Sequence, residues 1–242
     1  MMVRNDLPVI YEDNDLIVVN KPQGLATGIG TTESICGRVF RARPELKEVS
    51  GYRVGEGGLL NRLDNETGGL VLFAKHDSAF RHFSAEMKSH HIRKIYSAIC
   101  SGIPPENSGV IDIPIAHHPS KKKKMVRADR GQYRSRPRDA VTSWKVVERG
   151  RFHALLEVEL YQGVRHQIRV HLASVGMPIV GDKLYNPADK NNTVCRLQYH
   201  ALYCIEIQCR LFSGRHTVIC IQSPLREVWD EIKRQENTNR MK

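Results

Sequence analysis

Two apolar runs, Val9-Ile10-Tyr11 and Leu16-Ile17-Val18-Val19, flank the polar Asp13-Asn14-Asp15. That alternation predicts a hairpin whose second strand is largely buried and ends at Lys21-Pro22 and Gly24. Glycine and charge dominate residues 29–58, a loop-rich stretch with room for one short helix over 34–40 ahead of Pro44. Leu70-Val71-Leu72-Phe73-Ala74-Lys75 has the length and residue types of a buried strand. A helix capped by Asp77 or Ser78 should follow, with Phe80, Phe83 and Met87 forming one apolar stripe. Residues 92–100 return as a strand, Ile95, Ser97 and Ile99 facing one way and Tyr96 the other. Proline, glycine and positive charge then take over across 101–140, which reads as a mobile loop or ribbon. The cleanest alternation is Phe152, Ala154, Leu156, Val158 and Leu160, a strand that Gly163 breaks. Ile168, Leu172 and Val175 recur at helical spacing over 166–175, and Gly176 stands where a left-handed C-terminal cap belongs. Strands over 202–209 and 216–221 and a helix over 225–233 complete the reading, with no repeat and no long linker.

With 242 residues, 40% hydrophobic and 26% charged, the chain has the composition of one compact soluble unit. Residues 1–8 hold no long apolar stretch, and no later segment approaches the roughly 20 apolar residues of a spanning helix. A cytoplasmic protein without a membrane partner is expected. Cys36, Cys100, Cys195, Cys204, Cys209 and Cys220 show no CxxC spacing, so they read as reduced thiols, several of them in core strands. The 37 Lys and Arg against 26 Asp and Glu give a net charge of +11, which favours a polyanionic partner. Lys121, Lys122, Lys123 and Lys124 head a basic run that would meet a nucleic acid through phosphates rather than bases.

Two segments carry candidate chemistry. Leu60-Asn61-Arg62-Leu63-Asp64-Asn65-Glu66-Thr67-Gly68-Gly69-Leu70 sets an acid in a tight turn directly before a buried strand. Its two glycines permit close approach of a ligand, and Arg62 lies beside the acid. In Gly163-Val164-Arg165-His166-Gln167-Ile168-Arg169, a strand hands over to a helix; its N–H groups and Arg165 suit a phosphate or a carboxylate such as Asp64. Arg165 and Arg169, four apart, would share one side of that helix entrance.

Together with Lys94-Ile95-Tyr96, these segments resemble the RluA family of pseudouridine synthases over about 9–232, with Ile179-Val180-Gly181-Asp182 and Ser223-Pro224-Leu225 behind them. The resemblance implies an α+β fold, a large mostly antiparallel central sheet with helices and loops around a basic cleft. It implies that Asp64 is the essential acid, that Tyr96 lies against the target base, and that Arg165 pairs with Asp64. Arg62 would enter the RNA stack near the flipped nucleotide, and Thr67, Lys94, His166, Gln167 and Arg169 would join the RNA contacts. Where the family usually has histidine, serine and histidine, this chain has Asn61, Gly68 and Met177. Many members carry an RNA-binding domain ahead of the core; here a single catalytic domain over 1–242 is expected, the core starting by Val9, acting as a monomer.

Isomerising uridine to pseudouridine breaks the N1–C1′ bond, turns the uracil and joins C5 to C1′, so no cofactor or metal is demanded. Asp64 can attack C1′ or remove the 2′ proton to give a glycal, and Arg165 would keep it ionised. The target must first leave its stack, at about a few kcal/mol. The histidines offer no HExxH, the zinc deaminase pattern is missing, and no glycine-rich loop ends as a P-loop. The competing reading is a catalytically idle RNA-binding protein on the same scaffold, against which Asp64, Tyr96 and Arg165 all speak. Ribosomal RNA is favoured slightly over transfer RNA.

Overall fold

The computed structural model describes residues 7–30, 33–187 and 197–238. They cluster in two compact units, the first formed by the described residues up to 94 together with 204–221 and the second by those of 95–203 and from 222 on.

In the first unit, β1 (Val9–Glu12) and β2 (Leu16–Lys21) form the expected hairpin, closed by the Asp13 carboxylate accepting from Asp15 N at 2.8 Å and Leu16 N at 2.7 Å. Next comes α1 (Ile35–Ala42), capped by Ser34, whose hydroxyl accepts from Gly37 N, and then a 3-10 turn at Pro44–Glu48. β3 (Gly68–Ala74) is buried along its whole length and pairs antiparallel with β2. α2 (Asp77–Lys88) follows it, and here the structure corrects the expected cap. His76 is the N-cap, its ring nitrogen accepting from Ala79 N, while Asp77 accepts from Ser50 N. Phe80 and Phe83 face the core as the helical spacing requires. β10 (Leu202–Arg210) and β11 (His216–Cys220), both placed by sequence, close this unit in the order β1-β2-β3-β10 with β11 on β10.

The second unit holds most of β4 (Arg93–Ser101) and the strands β5 (Ser108–Asp112), β8 (Val141–Arg149) and β9 (His153–Leu160), ordered β4-β9-β8-β5. β5 and β9 flank β8 antiparallel. β6 (Ile115–His117) and β7 (Met125–Arg127) form a separate hairpin, so the segment 101–140, read as a loop or ribbon, is a ribbon only over 115–127, while β5 within it belongs to the main sheet. α3 (Gln167–Ser174) ends as predicted at Gly176, whose φ is +80°. α4 (Leu225–Thr238) runs five residues past the expected end at 233. It buries Trp229 and Ile232, and Glu236 accepts from Arg151 N, Phe152 N and His153 Nδ1. The described cysteines are free and four of the five are buried; Cys195 lies outside the described residues.

Candidate active site and RNA interface

Asp64 stands at the head of a β-turn, with Thr67 N donating to its carbonyl at 3.0 Å, and its side chain is half-buried. The chain on either side is pinned. Thr27 Oγ1 donates to Leu63 O at 2.7 Å and accepts from Leu63 N at 3.2 Å, and Gln23 Nε2 donates to Glu66 O at 2.8 Å. Asn61, where the RluA pattern has histidine, donates to Leu70 O at 3.2 Å and accepts from Leu72 N at 2.8 Å. Its amide therefore ties the segment before the acid to β3. Gly69 has φ +113° and lies so close to the Cys204 backbone that no Cβ fits there.

Sequence reasoning took Lys21 only as the end of a strand. Fully buried, it donates to Pro22 O at 3.0 Å, Leu25 O at 2.7 Å and Asn65 O at 3.0 Å. Burial pulls its pKa down to about 7, opposed by the negative charge of Asp64. Lys21 thus clamps the turn from beneath with a charge complementary to the acid it presents. Arg62, exposed, pairs with Glu56, a buried carboxylate that the pattern of residues did not single out. Lys94 is also buried, and burial lowers its pKa.

In the second unit Tyr96 is buried on β4, and Arg165 is exposed in the turn that enters α3. That turn is unusual. His166 has φ +57°, a left-handed conformation that costs a non-glycine residue strain, and its Nδ1 lies 2.8 Å from the Tyr185 hydroxyl. Gln167 closes the loop by accepting from Val164 N through Oε1 at 3.0 Å and donating to Val141 O at 2.9 Å and Thr142 Oγ1 at 3.2 Å. His171 Nε2 lies 2.9 Å from Ile113 O, so it carries the proton; Nδ1 then accepts from Thr142 Oγ1 at 2.8 Å.

Arg169 is buried rather than sharing the exposed entrance with Arg165. Its Nε and Nη2 donate to the two oxygens of Asp182 at 2.7 and 3.0 Å, and its guanidinium lies over the Tyr185 ring. Expected as RNA contacts, Thr67, Lys94, His166, Gln167 and Arg169 all prove to be buried, and Gln167 and Arg169 spend their polar groups on internal partners. Lys121, Lys122 and Lys123 are exposed, and Lys124 half-buried, in the loop joining β6 to β7. Met125 N donates to the Tyr185 hydroxyl at 2.8 Å, so one tyrosine tethers both this basic hairpin and the Arg165 turn.

The Asp64 turn and the Arg165 turn each fall within the stretch, residues 15–174, matched by a family model described as RNA pseudouridylate synthase. The chain belongs to this family. Its likeness to the RluA branch, read first from the motifs, holds among the relatives. A Synechocystis protein named as an RNA pseudouridine synthase is 34% identical over 201 residues, covering 81% of this chain and 59% of its own length. Ribosomal large subunit pseudouridine synthase D of Haemophilus ducreyi is 34% identical over 182 residues, covering 74% of this chain and 52% of its own. The chain thus spans between about half and three fifths of the length of these relatives. Among solved structures, human RNA pseudouridylate synthase domain containing 1 superposes with a TM-score of 0.74 at 20% identity, covering 91% of this chain and 85% of that one. The human domain-containing-4 protein gives 0.71 at 23%, covering 95% and 93%. These two likenesses establish the pseudouridine synthase fold, an α+β arrangement. No helix among the described residues is long and apolar enough to cross a membrane.

Proposed function

We propose that this pseudouridine synthase family member isomerises uridine in RNA to pseudouridine, with Asp64 acting at C1′ of an extruded nucleotide. The observation that carries the reading is the half-buried Asp64 on a turn locked from three sides, above a buried Lys21. A reacting carboxylate needs that fixity, because small misplacements of a reacting atom cost large factors in rate. Arg165 and Tyr96 complete the catalytic set of this reading, Tyr96 offering a flat ring to the detached uracil as it turns. Arg62 fills the gap left by the flipped base.

Exposed Arg62, Arg165, Lys121, Lys122 and Lys123 make the direct RNA contacts, the lysines through phosphates. Thr67 and Lys94 in the first unit, and His166, Gln167 and Arg169 in the second, serve these contacts from behind, each by holding its own segment in shape. Ribosomal RNA is the proposed substrate, since relatives such as the Haemophilus protein are named for the large ribosomal subunit. A monomeric cytoplasmic enzyme with one catalytic domain over about 9–232 completes the reading. An idle RNA-binding role is less well supported, because Asp64, Tyr96 and Arg165 are all retained.

The reaction replaces the C5–H bond of uracil by C5–C1′, so RNA carrying tritium at C5 of uridine releases it to water. Ribosomal RNA, with transfer RNA as the control, from cells lacking this gene and labelled in this way, should lose tritium with the unaltered chain and not with Asp64→Asn. Equal release by the two would refute the role of Asp64, and release from transfer RNA alone would refute the substrate.

A further inference from the structure

Arg62 reaches its partner in a setting built for rigidity. Glu56 is the residue between Gly55 and Gly57, whose φ values of +79° and +55° impose a tight left-handed path. The Glu56 side chain is 4% exposed and that of Arg62 45%, so the pair has one end sealed in protein and the other open to solvent. Gly28 forms the third wall. A Cβ there would lie 2.5 Å from Glu56 Oε1 and 2.7 and 2.8 Å from the two terminal nitrogens of Arg62, so carboxylate and guanidinium meet directly against bare backbone.

The geometry points to Glu56 as a positioning residue that fixes Arg62 before RNA arrives, making it a stationary wedge rather than a swinging arm. A buried carboxylate that loses its cation is left uncompensated, a strongly unfavourable state, so the guanidinium does not leave Glu56 when the nucleotide flips. The RNA stack instead closes onto the open face of a guanidinium already in place. Glu56 touches no RNA and acts only through Arg62. The inference rests on the reading of Arg62 as the group that fills the vacancy.

Four variants test it: Glu56→Gln, Gly28→Ala, Arg62→Ala, and Glu56→Gln combined with Arg62→Ala. Single-turnover tritium release at saturating RNA should fall ~10- to 100-fold in Glu56→Gln, as expected for displacement of a positioned group. RNA affinity should change less than about threefold, because phosphate contacts supply it. Gly28→Ala keeps both charges and should show the same loss, since its methyl group evicts the guanidinium. In the Arg62→Ala background, Glu56→Gln should slow release no further. It should also raise that chain's melting temperature, by neutralising a stranded carboxylate. Full-rate release by Glu56→Gln, or an equal additional loss on top of Arg62→Ala, overturns the positioning role. Arg62→Ala at full rate instead sinks the wedge reading itself, and the melting comparison then still reports whether the two side chains are coupled. A failure of Glu56 alone leaves Arg62→Ala slow and Glu56→Gln fast.

Discussion

Asp182→Asn isolates one brace of the Arg165 turn with little change in shape. The Asp182 side chain is fully buried and accepts four hydrogen bonds, from Arg169 Nε and Nη2 at 2.7 and 3.0 Å and from the backbone N of Leu184 and Tyr185 at 2.9 and 3.1 Å. Burial pushes its carboxyl up, but the guanidinium and the backbone donors outweigh it and hold the pKa below the usual 3.8. The substitution leaves one oxygen for the backbone donors and puts an amide against a guanidinium only 6% exposed. Breaking such a pair from one side costs about 3–5 kcal/mol, against a typical total stability of about 5–15 kcal/mol. For a chain of this length each kcal/mol lowers the melting temperature by about 2–4 °C, so a drop of about 6–20 °C is expected. Thermal unfolding followed by circular dichroism measures it. Because the folded carboxyl is depressed, this stabilisation is present above the unfolded pKa and is lost as pH falls through the folded one. The gap between the two proteins should therefore close in acid. A loss under about 1 kcal/mol at pH 7, or a gap that widens as pH falls, would show that the pair does not hold this turn.

Asn61→Leu removes both ties to β3 and leaves Leu72 N and Leu70 O without that partner; at about 1–3 kcal/mol for each unsatisfied buried group, urea unfolding should show a loss of about 2–6 kcal/mol and tritium release should slow. Unaltered rates would mean the acid's turn is held without it. Glu148 is held at about 2 by the Trp229 indole N–H, Lys233 and Arg226, against the usual 4.5, so its contribution is present above pH 4.5 and disappears toward pH 2. The difference in urea midpoint between the unaltered chain and Glu148→Gln should shrink across that window, and a constant difference would contradict the assignment. Replacing Lys121, Lys122, Lys123 and Lys124 by alanine should flatten the salt dependence of RNA binding by about 0.7–0.9 in logarithmic slope for each phosphate no longer neutralised, with melting unchanged. An unchanged slope would exclude the loop from the interface.

The strands that bury a face were legible because burial writes itself into the period of the sequence. β2, β3 and β9 are sealed along most of their length, and their apolar runs mark them. β8 was passed over for the opposite reason. Its residues run Val-Thr-Ser-Trp-Lys-Val-Val-Glu-Arg with Thr142 alone buried, and a bulge near Val146 breaks the alternation. Pairing with β5 and β9 holds it in the sheet, and a ladder of backbone hydrogen bonds leaves no compositional trace. The cap of α2 was misplaced because His76 does the work usually assigned to Asp or Ser, and only its geometry reveals that.

The same limit applies to the candidate site. Arg165 and Arg169 are the same residue type four positions apart, yet one is exposed and the other lies sealed against Asp182. Sequence spacing put them on one side of a helix entrance at 166, which needs Arg165 to keep the helical register; the left-handed His166 breaks it, so that α3 starts at Gln167 and Arg165 turns out of line. Lys21 and Glu56 escaped notice because each acts on another residue from within the protein, at contacts that close only when distant segments meet. Polar groups that touch a substrate recur as local words in a sequence, whereas those that hold them in place are defined by what packs around them. On the proposed function, the exposed arginines and lysines would supply affinity and the buried Lys21, Asn61, Gln167 and Asp182 fidelity of placement, so loss of any of these four should appear as a slower reaction or a softer fold before it appears as weaker binding.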